Sequence, residues 1–166
     1  ENFRHYYQQA TLCMRLPMYG SLDIFPNIED ISLIARVSKI NREEVRTQLS
    51  VSEHEKLVLI TFGGMQTQPI SWEAVQRFPH IKFYTTAMSH LQYPDLPVLH
   101  NDWLKSQGLK FEDVVHACDA VISKPGYGIC SECLANGTPL IYTEREDFAE
   151  YNILVNAIND FQYGVL

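Results

Sequence analysis

The sequence predicts an α/β domain: a Rossmann-like parallel sheet with helices on both faces. Three observations carry this. Residues 57–62 (Leu-Val-Leu-Ile-Thr-Phe) form an unbroken apolar run rich in β-formers. Such runs fit strands buried on both faces, the situation in a parallel sheet. Similar short runs recur at 81–85, 97–100, 119–123 and 139–142. Helix-sized segments separate most of them, the mark of βαβ units.

Taken in order, residues 1–40 show no period. Pro17, Gly20 and Pro26 punctuate them, and Phe3, Tyr6, Tyr7 and Tyr19 are scattered. They read as a tail or interdomain segment, and 41–166 as the domain. Asn41 with Glu44 three residues on suits a helix start, and Val45 and Leu49 share a face, so 42–49 is a short helix. After the strand at 57–62, Gly63-Gly64 ends the run. Phe111, Val114, Val115 and Cys118 recur at helical spacing, so 111–118 is a helix. Residues 130–136 read as a helix with Gly137 as its stop, and 152–158 as a last helix.

Composition narrows the function. Hydrophobic residues make up 46% and charged residues 20% of 166, so the chain is globular rather than disordered. Thirteen basic against twenty acidic residues give a net charge of −7, which argues against nucleic acid as main partner. No apolar run approaches the ~20 residues of a membrane helix. The first residue is Glu and no signal peptide is visible, so a piece excised from a longer protein is expected. Four cysteines are too few for a disulfide framework, and reduced thiols in a cytoplasmic protein are expected. Cys130 and Cys133 have CxxC spacing, which fits either a redox pair or small buried side chains on one helix face. No metal site is expected: Cys118 and His116 are the nearest further ligands, with weak spacing.

Ligands of open parallel sheets bind beyond the carboxyl ends of the strands. Three sequence features fall there. Gly63 and Gly64 follow the first strand, either as a ligand loop or as a plain turn. Residues 123–132 (Ser-Lys-Pro-Gly-Tyr-Gly-Ile-Cys-Ser-Glu) lead from a strand into a helix. A glycine turn feeding a helix start is a ready anion site, and Lys124 adds a cation. Ser131 stands where a dinucleotide fingerprint has its third glycine, and the run follows the fourth strand rather than the first, so NAD is disfavoured. The third feature is 143–152, with four carboxylates and an Arg: a solvated loop, or a set of hydrogen-bonding groups for a polyhydroxyl ligand. Glu132, a few residues past the glycines, either compensates the helix dipole or accepts two ribose hydroxyls.

At these residues the sequence resembles a known family. Residues 59–64, 119–128 and 131–142 are similar to the C-terminal domain of GT-B glycosyltransferases, over roughly residues 55–158. The branch with the UDP-N-acetylglucosamine transferase of peptidoglycan synthesis is similar, and the glycosyltransferase-like region of plant arabinose kinases more so. The resemblance implies a Rossmann-like half that binds a nucleotide-sugar donor, usually a UDP-sugar, as substrate and without a cofactor or metal. It implies donor-binding roles for Gly63, Gly64, Lys124, Gly126, Tyr127, Gly128, Ser131 and Glu132, with Glu132 on the ribose. Asp147, Glu150 and Asn152 would lie toward the donor sugar, where the peptidoglycan branch carries Gln. The acceptor and base would come from an N-terminal domain outside this chain, leaving the fragment alone inactive and its catalytic residues unknown. The alternative, from another class, is a non-catalytic nucleotide-sugar-binding regulatory domain fused to an enzyme such as a sugar kinase.

Overall fold

The computed structural model describes residues 2–62, 72–86, 96–161 and 164–165. Gly63 and Gly64 lie outside the described residues. The elements run α1 (Asn2–Tyr7), β1 (Cys13–Arg15), β2 (Ile28–Asp30), α2 (Arg42–Gln48), β3 (Lys56–Ile60), α3 (Trp72–Gln76), β4 (Ile81–Thr86) and β5 (Val98–Leu99). They continue with α4 (Asn101–Ser106), α5 (Phe111–Ala117), β6 (Ala120–Ser123), α6 (Tyr127–Asn136), β7 (Leu140–Tyr142), α7 (Tyr151–Asp160) and β8 (Gly164–Val165).

Six strands form one sheet in the order β5-β4-β3-β6-β7-β8, and every pairing is parallel. Counted from β3, this is the 3-2-1-4-5-6 order of the doubly wound nucleotide-binding sheet. The order reverses between β3 and β6, where Val58 pairs with Ala120 and Ile60 with Ile122.

Side-chain alternation divides the core. Leu57, Leu59 and Val121 join α2, α4, α5, α6 and α7 in the larger cluster through Val45, Leu104, Val114, Cys130 and Leu154. Ile60 points the other way and meets Val75 of α3, with Phe62 and Leu96. Helices therefore cover both faces.

Local chemistry sets the helix ends. Asn41 Oδ1 accepts the Glu43 N–H at 2.8 Å and starts α2. Asp113 Oδ2 reaches back to the Lys110 N–H at 2.8 Å and starts α5. Gly137 takes φ 66° and closes α6, with the Thr138 N–H on the Cys133 carbonyl.

The first forty residues are less irregular than the sequence suggests. They hold α1 and the parallel pair β1–β2, joined by Arg15 Nη2 on Asp30 Oδ2 at 2.8 Å. These strands are three residues each, too short for a two-residue period to show. The segment also docks on the domain. Tyr127 Oη donates to the Pro17 carbonyl at 3.0 Å. Asn136 grips the backbone farther on: its Nδ2 donates to the Arg36 carbonyl and its Oδ1 accepts the Ser38 N–H, each at 2.9 Å.

Further differences concern one boundary and four elements. Helix α6 begins at Tyr127, not at residue 130. The sequence shows no sign of α1, α3, α4 or β8. No helix among the described residues is long and apolar enough to cross a membrane.

Candidate functional site

The site forms where the strand order reverses. Thr61 and Phe62 leave the end of β3, and Ser123 and Lys124 leave the end of β6. The two ends stay joined: the Thr61 N–H donates to the Ile122 carbonyl at 2.9 Å, and Ser123 Oγ donates to the Thr61 carbonyl. A cleft of about 340 Å³ opens beside them. Gly126, Gly128, Ile129 and Glu132 of the α6 region form one wall, Arg36 and Phe111 another, and Arg145 reaches in from the loop after β7.

Helix α6 enters with its N-terminus at this cleft. Gly126 is the N-cap, and no side chain caps it. The first intrahelical bond runs from the Cys130 N–H to the Gly126 carbonyl at 3.0 Å. The amides before it carry the positive end of the helix. Gly128 leaves that end bare: a Cβ there would meet nothing within 4 Å.

Three cationic side chains, Arg36, Lys124 and Arg145, face one carboxylate, Glu132. Arg145 is held in place by the Pro125 carbonyl at 3.0 Å and by the Phe148 ring, 3.5 Å from its guanidinium carbon to the ring centre. Burial pushes the Glu132 carboxyl above its usual value, and the Arg36 hydrogen bond pulls the other way. Arg36 Nε donates to Glu132 Oε1, and Nη2 makes an ion pair with the same oxygen.

Of the sequence-predicted residues, the structure brings Lys124, Gly126, Gly128 and Glu132 to the cleft. Tyr127 and Ser131 lie on α6 but do not line it. The Tyr127 hydroxyl is turned to Pro17, and buried Ser131 donates to the Gly128 carbonyl at 2.9 Å. Asp147, Glu150 and Asn152 are exposed and outside the lining. Arg36, Thr61, Phe62, Phe111, Ser123, Ile129 and Arg145 line the cleft without having been singled out. Arg145 carried a signal, as the basic residue of an acidic loop beyond a strand end. Arg36 carried none, since it reaches the cleft across 96 positions of sequence.

The cysteines follow the packing alternative. Cys118, Cys130 and Cys133 are free and buried. Burial pushes the Cys118 thiol up to about 12 and the Cys130 thiol to about 11. Both stay protonated at neutral pH, unlike a reactive redox thiol. Among the described residues no cluster of three or more His, Cys, Asp or Glu could hold a metal ion.

Structures with this architecture are known. The glycosyltransferase SnogD from Streptomyces nogalater superposes with a TM-score of 0.55 at 15% identity, over 91% of this chain and 43% of that one. The fold is the Rossmann-like one found in part of the GT-B glycosyltransferases. The glycotransferase of kitacinnamycin superposes with a TM-score of 0.53 at 14% identity, over 89% of this chain and 38% of that one. The GT-B neighbours are thus larger proteins, of which this chain spans less than half. Among curated proteins, the L-arabinokinase of Arabidopsis thaliana is 28% identical over 160 residues, 96% of this chain. The chain spans 15% of that relative's length. No family model matches the sequence.

Proposed function

We propose that the chain binds a nucleotide-sugar donor, a UDP-sugar in the first instance, as the donor half of a glycosyltransferase-like protein. One observation carries the reading. The cleft combines a switch-point position, a ten-residue helix start without a side-chain cap, and Lys124 and Arg145 in its lining. Such a start binds phosphate through backbone amides and the helix dipole. Lys124 and Arg145 would add charge for the diphosphate, and Glu132 would accept the ribose hydroxyls. During transfer, negative charge grows on the departing nucleotide, and fixed donors aimed at it lower the barrier. The acceptor and the base would belong to a second domain, and closure of the two would align the reactants.

The arabinokinase relative favours a second reading, a non-catalytic nucleotide-sugar-binding domain that regulates an attached sugar kinase. Both readings require the same ligand. Transfer of sugar by the full-length protein separates them.

The test is calorimetric titration with UDP, against ADP and GDP, on the chain and on Gly128→Val. The valine side chain projects from a position where a Cβ meets nothing within 4 Å, so the fold has room for it and the melting temperature should hold. UDP-selective binding that weakens at least roughly tenfold in the variant supports the reading. Absence of binding to all three nucleotides, in the chain and in the full-length protein, overturns it.

A further inference from the structure

Arg36 stands between two carboxylates and is hydrogen-bonded to only one of them. Its Nε donates to Glu132 Oε1, and its Nη2 makes an ion pair with the same oxygen. Its Nη1 lies 3.7 Å from Glu112 Oε2, a buried oxygen with no hydrogen-bond partner. A buried acceptor without a donor costs free energy. The guanidinium therefore has a second favourable position close at hand. The Arg36 backbone is fixed by Asn136, and Ser38 Oγ adds a bond to Asp113 Oδ1 at 2.7 Å. Its side chain is 58% exposed, so it can turn while the main chain stays docked.

The two carboxylates differ in place. Glu132 lines the cleft, whereas Glu112 does not. With Arg36 on Glu132, the carboxylate that faces the ligand is already engaged. With Arg36 on Glu112, the orphaned oxygen gains its donor and Glu132 is released.

We propose that Arg36 occupies two seats, Glu132 when the cleft is empty and Glu112 when it is filled, and that the exchange frees Glu132 for the hydroxyl pair of a nucleotide's ribose. The inference rests on the donor-binding reading. Glu112 is then a positioning residue: it touches no ligand but holds the competing cation aside. Affinity falls by the fraction of molecules in which Glu132 is unavailable.

The experiment is a double-mutant cycle with UDP as the probe: the unaltered chain, Glu112→Gln, Arg36→Gln and the double variant, each titrated by calorimetry and melted thermally. Glu112→Gln should weaken UDP binding roughly three- to tenfold, because Arg36 loses its second seat. Arg36→Gln, an exposed change that leaves the core intact, should tighten binding by a similar factor. In the Arg36→Gln background, Glu112→Gln should have no effect. Equal losses from Glu112→Gln in both backgrounds would make Glu112 merely structural and overturn the proposal. So would weaker binding in Arg36→Gln, which decides the matter even if Glu112→Gln does not fold. UDP binding without this pattern defeats the exchange alone. No UDP binding by the unaltered chain or the full-length protein defeats the donor reading and the exchange together.

Discussion

Asp119 gathers four donors at the end of the sheet away from the cleft. It accepts the Leu57 N–H at 2.8 Å, Arg46 Nη1 at 3.0 Å, Arg42 Nη2 at 2.9 Å and Lys56 Nζ at 3.3 Å. Arg46 is itself buried and also donates to the carbonyls of Ala117 and Glu55. One carboxylate thus ties α2 to β3 and to the entrance of β6. Burial pushes its pKa up, but the Leu57 amide and the Arg46 and Arg42 guanidiniums outweigh it and hold the carboxyl below its usual range. A depressed carboxyl stabilises the fold above its unfolded pKa of about 3.9 and loses that contribution as the pH falls through the folded value. Asp119→Asn should cost about 2–4 kcal/mol at neutral pH, because it leaves buried Arg46 with only the exposed, more distant Glu43 as a charge partner. Urea midpoints from pH 7 down to 3 should converge with those of the unaltered chain. A constant gap would show that the charge contributes nothing. The sequence offered Asp119 only as the first residue of the strand at 119–123, since its partners come from residues 42, 46 and 56–57.

The strands are the elements most legible in the sequence. Leu57, Leu59, Ile60 and Val121 are buried from both sides, and a strand with two buried faces needs apolar residues at every position. Leu59→Ala should therefore cost about 2–5 kcal/mol, by lost burial and a cavity in a packed core. A guanidinium chloride midpoint shifted by less than a quarter of that would mean that neighbouring helices collapse onto the gap. The start of α6 was less legible. Gly126 and Gly128 read as a turn, because glycine within a helix costs roughly 0.5–1 kcal/mol relative to alanine. Two tertiary contacts offset that cost. The Tyr127 hydroxyl is fixed on Pro17, and Cys130 is buried in the core. Elements of two or three residues, such as β1, β2 and β8, depend on pairing that no local pattern announces.

At the scale of the molecule, the candidate site is a product of topology. Lys124, Gly126, Gly128 and Glu132 were legible because they are consecutive and follow a strand. Arg145 was legible only as the one basic residue of the acidic loop after β7, and Arg36 not at all, because it comes from the first forty residues. That segment also carries most of the exposed large apolar side chains, among them Phe3, Tyr6, Met14, Ile34 and Val37. The three core thiols leave Cys13, partly exposed on β1, as the only cysteine outside the interior. A maleimide should accordingly take up one equivalent in the native chain and four in denaturant, read by mass spectrometry. Faster uptake at all four positions in the native chain would contradict the packing. A fluorophore could then be attached at Cys13 without engineering any cysteine away. It would sit on the segment that carries Arg36, and its emission would report whether that segment stays docked while the cleft fills.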